Sequence, residues 1–470
     1  MKVKRNSLIV IFSVIVMLLI VWLPISPESG LTIEGKTALG ILAFAIILWM
    51  SEAIPFPVTG LSLLLLIPIF GLDSFKNAAY AGFGNPIIVF FIGIMIMSAG
   101  LTKSGFTNRI TLLILDKIGL ETSKLLFIFL LIGAFLSMWV TNMGVAAILL
   151  PIAKEILEDS DRIPMQSNFG KALMISIAWG CGIGGMGTPV GNGANVLAIT
   201  FLNDMVGLEI TFIDWMKVGV PGILLLLPVS WIILKRLFPP EVEYLPMSKS
   251  IIKEKLNELG SLSSKEKNTI IIFGIAIFLW LTNPLIKLFF NISIPIQAVA
   301  LFAAILMFLP YIEILSWKSA QEIVNWGAIV LIAGGMSLGE ILFKTGGVEW
   351  IANTFFSNIG KLPLIFRFFA IAIIVQILKV FFSSNTATGL VILPIMIALA
   401  QGLGLDVWLV VGPAALAISL AFILVPSSPT NVIPYSAGYF SMKDFAMAGI
   451  GITIGGTIMI SLTFLLFGKF

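Results

Sequence analysis

The sequence predicts an all-α polytopic membrane protein, with about 11 transmembrane helices plus two re-entrant helical hairpins in two inverted repeats. Three observations carry that expectation. The 470 residues are 59% hydrophobic and 11% charged, against roughly 25% charged in a soluble chain. Apolar runs of about 18 residues or more recur from end to end, so lipid is the solvent for most of the chain. Two of the apolar segments also carry the same polar interruption. The first reads Thr141-Asn142-Met143-Gly144 and runs on to Leu150-Pro151; the second reads Ser384-Asn385-Thr386-Ala387 and runs on to Leu393-Pro394. Asn142 and Asn385 stand at the same separation as the two prolines. An amide at membrane depth is costly unless it finds partners, and its repetition in two halves points to a midplane binding site in a transporter.

Hydropathy and helix breakers place spans near 7–24, 38–54, 57–72, 86–102, 171–202, 217–238, 269–290, 295–312, 326–343, 407–440 and 445–468. The run at 7–24 follows Lys2, Lys4 and Arg5, as in a secretory signal. It is long, no small-residue cleavage site follows, and more spans come after, so it reads as the first span. Segments 124–157 and 363–401 hold the two interruptions. A helix of that length would reach about 50 Å, well past a core of about 30 Å. Each is therefore two spans or a hairpin whose tip is the interruption, and irregular backbone at that depth must line a protein-walled cavity.

Loop charge orients the chain. With a cytoplasmic N-terminus and re-entrant hairpins, the inner segments hold Arg109, Lys117, Lys249, Lys253, Lys255, Lys265 and Lys267. The outer loops 25–37 and 203–216 hold Glu28, Glu34, Asp204, Glu209 and Asp214, and the C-terminus falls outside. This follows the positive-inside rule of a multi-pass cell-membrane protein; Lys361 and Arg367 run against it. The division expected is 1–36 for the N-terminal span and external loop, 37–238 for the first repeat, 239–268 for a cytoplasmic linker and 269–470 for the second repeat. A second pair of breaks joins the halves: Gly187-Thr188-Pro189-Val190-Gly191-Asn192-Gly193-Ala194-Asn195-Val196 corresponds to Val425-Pro426-Ser427-Ser428-Pro429-Thr430-Asn431-Val432. Each holds a proline, small polar residues and an Asn-Val, so each of helices 171–202 and 407–440 should unwind there. Lys103-Ser104-Gly105 and Lys344-Thr345-Gly346 form a weaker pair.

Composition also excludes chemistry. The chain has no histidine and one cysteine, Cys181. Intramolecular disulfides, the usual zinc sites, His proton relays and Ser-His-Asp catalysis are ruled out, so the chain is not expected to be an enzyme. Cys181 sits between glycines and reads as a packing residue. The net charge of +4 reflects basic loops, and no basic stripe invites nucleic acid. Gly30 to Thr37 fits the phosphate-loop pattern but joins two spans without a preceding strand, a chance match. Trp22, Trp49, Trp215 and Trp317 read as interface anchors. Glu52, ahead of Pro55 and Pro57, could serve as a proton or cation site, though its place near a span end favours a structural role.

At these residues the chain resembles the divalent anion:sodium symporter family, whose signature is a Ser-Asn-Thr tripeptide at each of two hairpin tips. Ser384-Asn385-Thr386 matches it fully; Thr141-Asn142-Met143 matches the Asn, with a conservative Thr before it. Ser51-Glu52-Ala53-Ile54-Pro55 and the two breaks extend the resemblance over nearly the whole chain. It implies a scaffold domain, a mobile transport domain, a homodimer in the membrane lipid, elevator-type alternating access, and small di- or tricarboxylate anions as cargo. No cofactor is implied beyond sodium as coupling ion. Sodium sites are implied where each tip meets the neighbouring break, with Ser383 and Asn385 at the second. The substrate site would comprise Thr141, Asn142, Met143, Ser384, Asn385 and Thr386, with Pro426 and Ser427 from the second break.

The residues suit that cargo. Asn142 and Asn385 can offer amide N–H and Thr141, Ser384 and Thr386 hydroxyls, while the helix N-terminus at each tip turns free N–H groups toward an anion. The bland alternative is that these residues only cap broken helices. Around the first tip, Ser137, Thr141 and Asn142, with carbonyls near Gly187, form a candidate cation site. At the same offset, the counterpart of Ser137 is Val380, which has no side-chain oxygen, and Lys379 precedes it. Lys379 has two readings. Its ammonium could stand in for a cation, making the protein a sodium-independent exchanger. Otherwise it snorkels or pairs with an acid such as Glu340. Met143, where the family has Thr, removes a hydroxyl. An anion channel is a further alternative, but it would not need two pseudo-symmetric discontinuous sites.

Overall fold

A computed structural model describes residues 2–24, 30–246 and 250–469. Glu28 and Lys249 lie outside the described residues. All the regular structure described is helical, apart from one isolated bridge between Glu121 and Tyr244. Helix α1 is Lys2–Trp22, and it packs along α2, Ile33–Ser51. Next come α3 (Phe56–Ile69), α4 (Phe75–Phe83), α5 (Pro86–Lys103) and α6 (Phe106–Ile118). The first hairpin is α7 (Thr122–Ser137) and α8 (Asn142–Asp159); the first broken helix is α9 (Asn168–Gly184) and α10 (Gly193–Val206), followed by α11 (Phe212–Leu237). Helix α12 (Ser250–Glu258) lies in the linker. The second set then runs α13 (Ser264–Phe290), α14 (Ile296–Leu306), α15 (Trp317–Ile323), α16 (Trp326–Lys344) and α17 (Gly347–Phe356). It continues through the hairpin α18 (Leu364–Lys379) and α19 (Asn385–Gly402), the broken helix α20 (Trp408–Ile418) and α21 (Pro429–Tyr435), and α22 (Met442–Phe467).

Local chemistry repeats with the elements. Prolines at the N-cap start α3 (Pro55) and α14 (Pro295), where a missing N–H costs nothing. Gly105 and Gly346, both left-handed, turn the chain from α5 into α6 and from α16 into α17, at φ +83° and +73°. Reciprocal capping boxes start α11 (Thr211 with Asp214) and α22 (Ser441 with Asp444). Packing repeats too, with halves exchanged: α5 lies on α14 and α16 lies on α3, while α10 meets α19 and α21 meets α8. Each half is completed by the other.

Eight helices among the described residues are long and apolar enough to cross a bilayer. Several others are apolar but short, and these account for most of the remaining spans expected from sequence: α3, α7, α10, α14 and α20. Helix α7 has 16 residues, about 24 Å of rise, less than the hydrocarbon thickness. Such an arm is too short to cross by itself, and any end left at membrane depth must be satisfied by protein. The chain is thus a multi-pass membrane protein with interrupted segments in both halves. Two packing groups emerge. Helices α1–α5 and α13–α16 pack mainly among themselves, as do α7–α11 and α18–α22; α6 and α17 lie between the two groups, and α16 and α17 against α19 form the largest seam.

The stretch from Gly30 to Thr37 forms no phosphate cradle. Thr32 caps α2, accepting from Gly35 N at 2.8 Å, and Lys36 Nζ donates to the Leu23 carbonyl at 2.7 Å. Cys181 is fully buried in α9, as a packing residue should be.

Candidate functional site at the paired tips and breaks

Helix α7 ends at Ser137 and α8 begins at Asn142 because Thr141 takes over as cap. Its Oγ1 accepts from Gly144 N at 3.4 Å, and its own N–H donates to Ser98 Oγ of α5 at 3.1 Å. Ser384 does the same for α19, accepting from Ala387 N at 3.3 Å. The capping expectation therefore holds for both hydroxyls, which leaves each of them a proton to donate.

The two breaks are built alike. Asn195 Nδ2 donates to the carbonyls of Gly185 and Thr188, both at 2.8 Å. Asn431 Nδ2 donates to those of Ala421 at 2.7 Å and Leu424 at 3.5 Å. Both asparagines reach back 10 and 7 residues, stapling carbonyls that the broken helix leaves without partners. Asn192 and Ser428 cap the second arms, accepting from Ala194 N and Thr430 N. Asn192 Nδ2 also donates to Ser419 Oγ at 2.8 Å, joining the two breaks across the halves. The shared Asn-Val was the sequence trace of the staple; nothing in the sequence marked Ser419 or Ser98.

The tips meet these breaks with close tolerances. With its NH2 assigned toward acceptors, the Asn142 amide donates to the carbonyls of Cys181 (3.3 Å) and Gly191 (3.2 Å). Both amide hydrogens are thereby committed, and Asn142 presents an oxygen rather than a donor. A Cβ on Gly185 would come within 3 Å of the Asn142 side-chain amide, so only glycine lets the tip approach. Thr386 of the other tip sits against the first break, its Oγ1 2.5 Å from where a Cβ on Gly193 would be. Gly187 packs against Met138 of the first tip turn and against Ile223, and its carbonyl lies against Gly219. The carbonyls that reach the Asn142 amide belong to Cys181 and Gly191.

Several buried polar atoms at this junction lack a hydrogen-bond partner. They are Ser137 Oγ (with the Cys181 thiol beside it), Asn195 Oδ1, Asn385 Oδ1 and Ser427 Oγ. Unpaired polar atoms are costly when buried, so each of these calls for a partner such as a bound ion. Hydroxyl and amide oxygens are donors for a hard cation such as sodium, and among the described residues no group of carboxylate, thiol or imidazole ligands competes with them. Met143 and Pro426 are exposed and the other tip residues half-buried, so the junction is open on one side.

Lys379 does not pair with Glu340, which is bonded to Lys344 one helical turn away. Only 1% exposed, it donates Nζ to the carbonyls of Phe382 at 2.9 Å and Ser427 at 2.6 Å. Snorkelling is excluded as well, because the side chain turns inward to the second break. Glu52, expected as a span-end residue, accepts a hydrogen bond from Ser383 Oγ beside the second tip.

The sodium:sulfate symporter transmembrane region family matches residues 4–470. The chain belongs to that family. The resemblance carried by the tip motifs therefore stands, and this member is a transporter rather than an enzyme. Similar relatives include the sodium-dependent dicarboxylate transporters SdcS of Staphylococcus aureus strains RF122 / ET3-1 and USA300. Each is 30% identical over 446 residues, covering 91% of this chain and 85% of the relative. Among solved structures, MtrF of Neisseria gonorrhoeae, described with a class of antimetabolite efflux pumps, aligns with a TM-score of 0.61 at 12% identity. That alignment covers 98% of this chain and 94% of MtrF. The YdaH transporter of Alcanivorax borkumensis aligns at 0.54 and 12% identity, over 84% and 87%. At such identities these two speak for the fold alone.

Proposed function

We propose that this family member is a sodium-coupled symporter of small di- or tricarboxylates, such as succinate, malate or 2-oxoglutarate. The reading is carried by the paired junctions, where two tips and two breaks bring unpartnered neutral oxygens and helix N-termini together. The dicarboxylate named for its relatives supplies the cargo. Neutral donors and helix ends hold a dianion firmly enough to bind and loosely enough to release. The substrate would lie between Thr141, Asn142, Met143 and Ser384, Asn385, Thr386, with Pro426 and Ser427 beside it. Sodium would use Ser137, Thr141 and Asn142 at the first tip, and Ser383 and Asn385 at the second.

The two packing groups support elevator-type movement. Helices α7–α11 and α18–α22 would carry the site past a scaffold of α1–α5 and α13–α16, through which two copies dimerise. The halves 37–238 and 269–470, joined by 239–268, would be inverted copies, with the N-terminus cytoplasmic and the C-terminus external. Radiolabelled succinate uptake into proteoliposomes, with and without a sodium gradient, tests the reading. Uptake that ignores sodium but needs internal dicarboxylate would sink symport. No uptake of succinate, citrate or sulfate under any condition would sink the carboxylate assignment.

One observation favours a second reading. The Lys379 ammonium donates to one backbone carbonyl of the second tip, Phe382, and one of the second break, Ser427, in the kind of oxygen setting a cation would take. A fixed charge there would leave fewer ions to be carried, and in the limit an exchanger. Flux measured against internal anion at zero sodium separates the two.

A further inference from the structure

Glu52 is the residue at this junction that neither reading uses. It closes α2 in the left-handed region at φ 50°, a conformation unusual for a glutamate. The corner behind it is held: Ser51 Oγ accepts from Ala53 N, and Pro55 begins α3, which lies along α16. Helix α2 packs chiefly on α1, α3 and α16, within the group of helices that excludes the hairpins. Its carboxylate nevertheless crosses to the other group and accepts from Ser383 Oγ, one residue before the cap of the second tip. On the other side of the Phe382–Ser383 peptide, the Phe382 carbonyl takes the Lys379 ammonium. One peptide unit thus stands between a buried cation and an exposed carboxylate carried by a different body.

We propose that Glu52 is a specificity-determining carboxylate that competes with the substrate for the Ser383 hydroxyl. This rests on the reading of the second tip as part of a carboxylate site, with the Ser383 hydroxyl donating its proton to the substrate while its oxygen lone pairs remain for sodium. A hydroxyl has a single proton to donate, so it can serve Glu52 or an incoming carboxylate but not both. The bond to Glu52 docks the tip on the α2–α3 corner, and substrate binding releases it. Glu52 therefore sets a threshold affinity: only an anion that outbids a tethered carboxylate undocks the tip. Both partners are carboxylates, so the threshold discriminates against weaker acceptors.

Uptake kinetics test it. Glu52→Ala frees the hydroxyl and should lower KM for succinate about fivefold, the effect of roughly one exposed charge-assisted contact. Ser383→Ala should raise KM, and adding Glu52→Ala to it should change KM little further. An unchanged or raised KM in Glu52→Ala, or additive effects in the double variant, overturns the proposal. A purely structural role would lower Vmax and folded yield while leaving KM alone. A second measurement is independent of turnover: with Cys181→Ala, the pair Glu52→Cys and Ser383→Cys should form a disulfide on oxidation, and saturating succinate should slow its formation. No disulfide, or one indifferent to succinate in a protein that takes succinate up, overturns the proposal. Wild-type protein that takes up no carboxylate would instead remove the reading on which it rests.

Discussion

At the scale of single residues, the two tip asparagines divide the work that the sequence treated as equal. Asn142 spends both amide hydrogens on the carbonyls of Cys181 and Gly191, whereas Asn385 keeps a buried oxygen without a partner. Asn385→Ala should cut succinate uptake at least tenfold, about 1.4 kcal/mol or more of lost binding, with the melting temperature in detergent almost unchanged. Near-normal uptake would reduce the tip to a cap. Lys379→Met should behave differently. It strands the carbonyls of Phe382 and Ser427 in a buried setting, at about 1–3 kcal/mol, so thermal stability falls together with transport. If the ammonium replaces a cation, Lys379→Ser should also make uptake depend more steeply on sodium; an unchanged sodium response would argue that Lys379 only ties the break together. The motif pair was legible because amides are rare in apolar runs. The direction each amide faces was not, since it depends on carbonyls exposed by a different helix.

At the scale of elements, proline and small polar residues announced the breaks, but the staple that holds each break open had to be seen. Asn195 and Asn431 each reach back to carbonyls on the far side of the break. Asn195→Ala should cost about 1–3 kcal/mol for each buried carbonyl left unpaired, read as a lowered melting temperature and loss of transport. Asn431→Ala should cost less, because its second bond is long at 3.5 Å; equal losses would contradict the comparison. Gly193→Ala places a methyl 2.5 Å from the Thr386 hydroxyl. Transport should fall, and Thr386→Ser, which keeps the hydroxyl, should not rescue it.

At the scale of the whole molecule, one buried ion pair ties the first half to the linker and the second. Arg109 on α6 bonds Glu266 at the start of α13 at 2.6 Å, and its remaining N–H groups donate to the carbonyls of Leu259, Gly260 and Ser261. The linker lysines suggested only a charged cytoplasmic face. In the fold, Glu266 is 4% exposed and also completes the capping box of α13 with Ser263. Arg109→Ala leaves that carboxylate buried without its partner, which should cost about 3–5 kcal/mol. The expected result is early unfolding in detergent; a melting temperature within a degree of wild type would show that the halves are held together elsewhere.

The sequence by itself determined the lipid solvent, the helical class, the doubled architecture and the position of both tips and both breaks. Each follows from a local rule: apolar length, the cost of an amide in lipid, the helix-breaking of proline. Only the tertiary structure decided what the polar atoms do. It turned Lys379 away from Glu340 and toward backbone carbonyls, gave the Asn142 amide the carbonyls of Cys181 and Gly191, and brought Glu52 to Ser383. The physical reason is the same in each case. A broken helix releases carbonyls and N–H groups that must be satisfied across the chain, and which side chain reaches them is fixed by packing between halves rather than by neighbours in sequence.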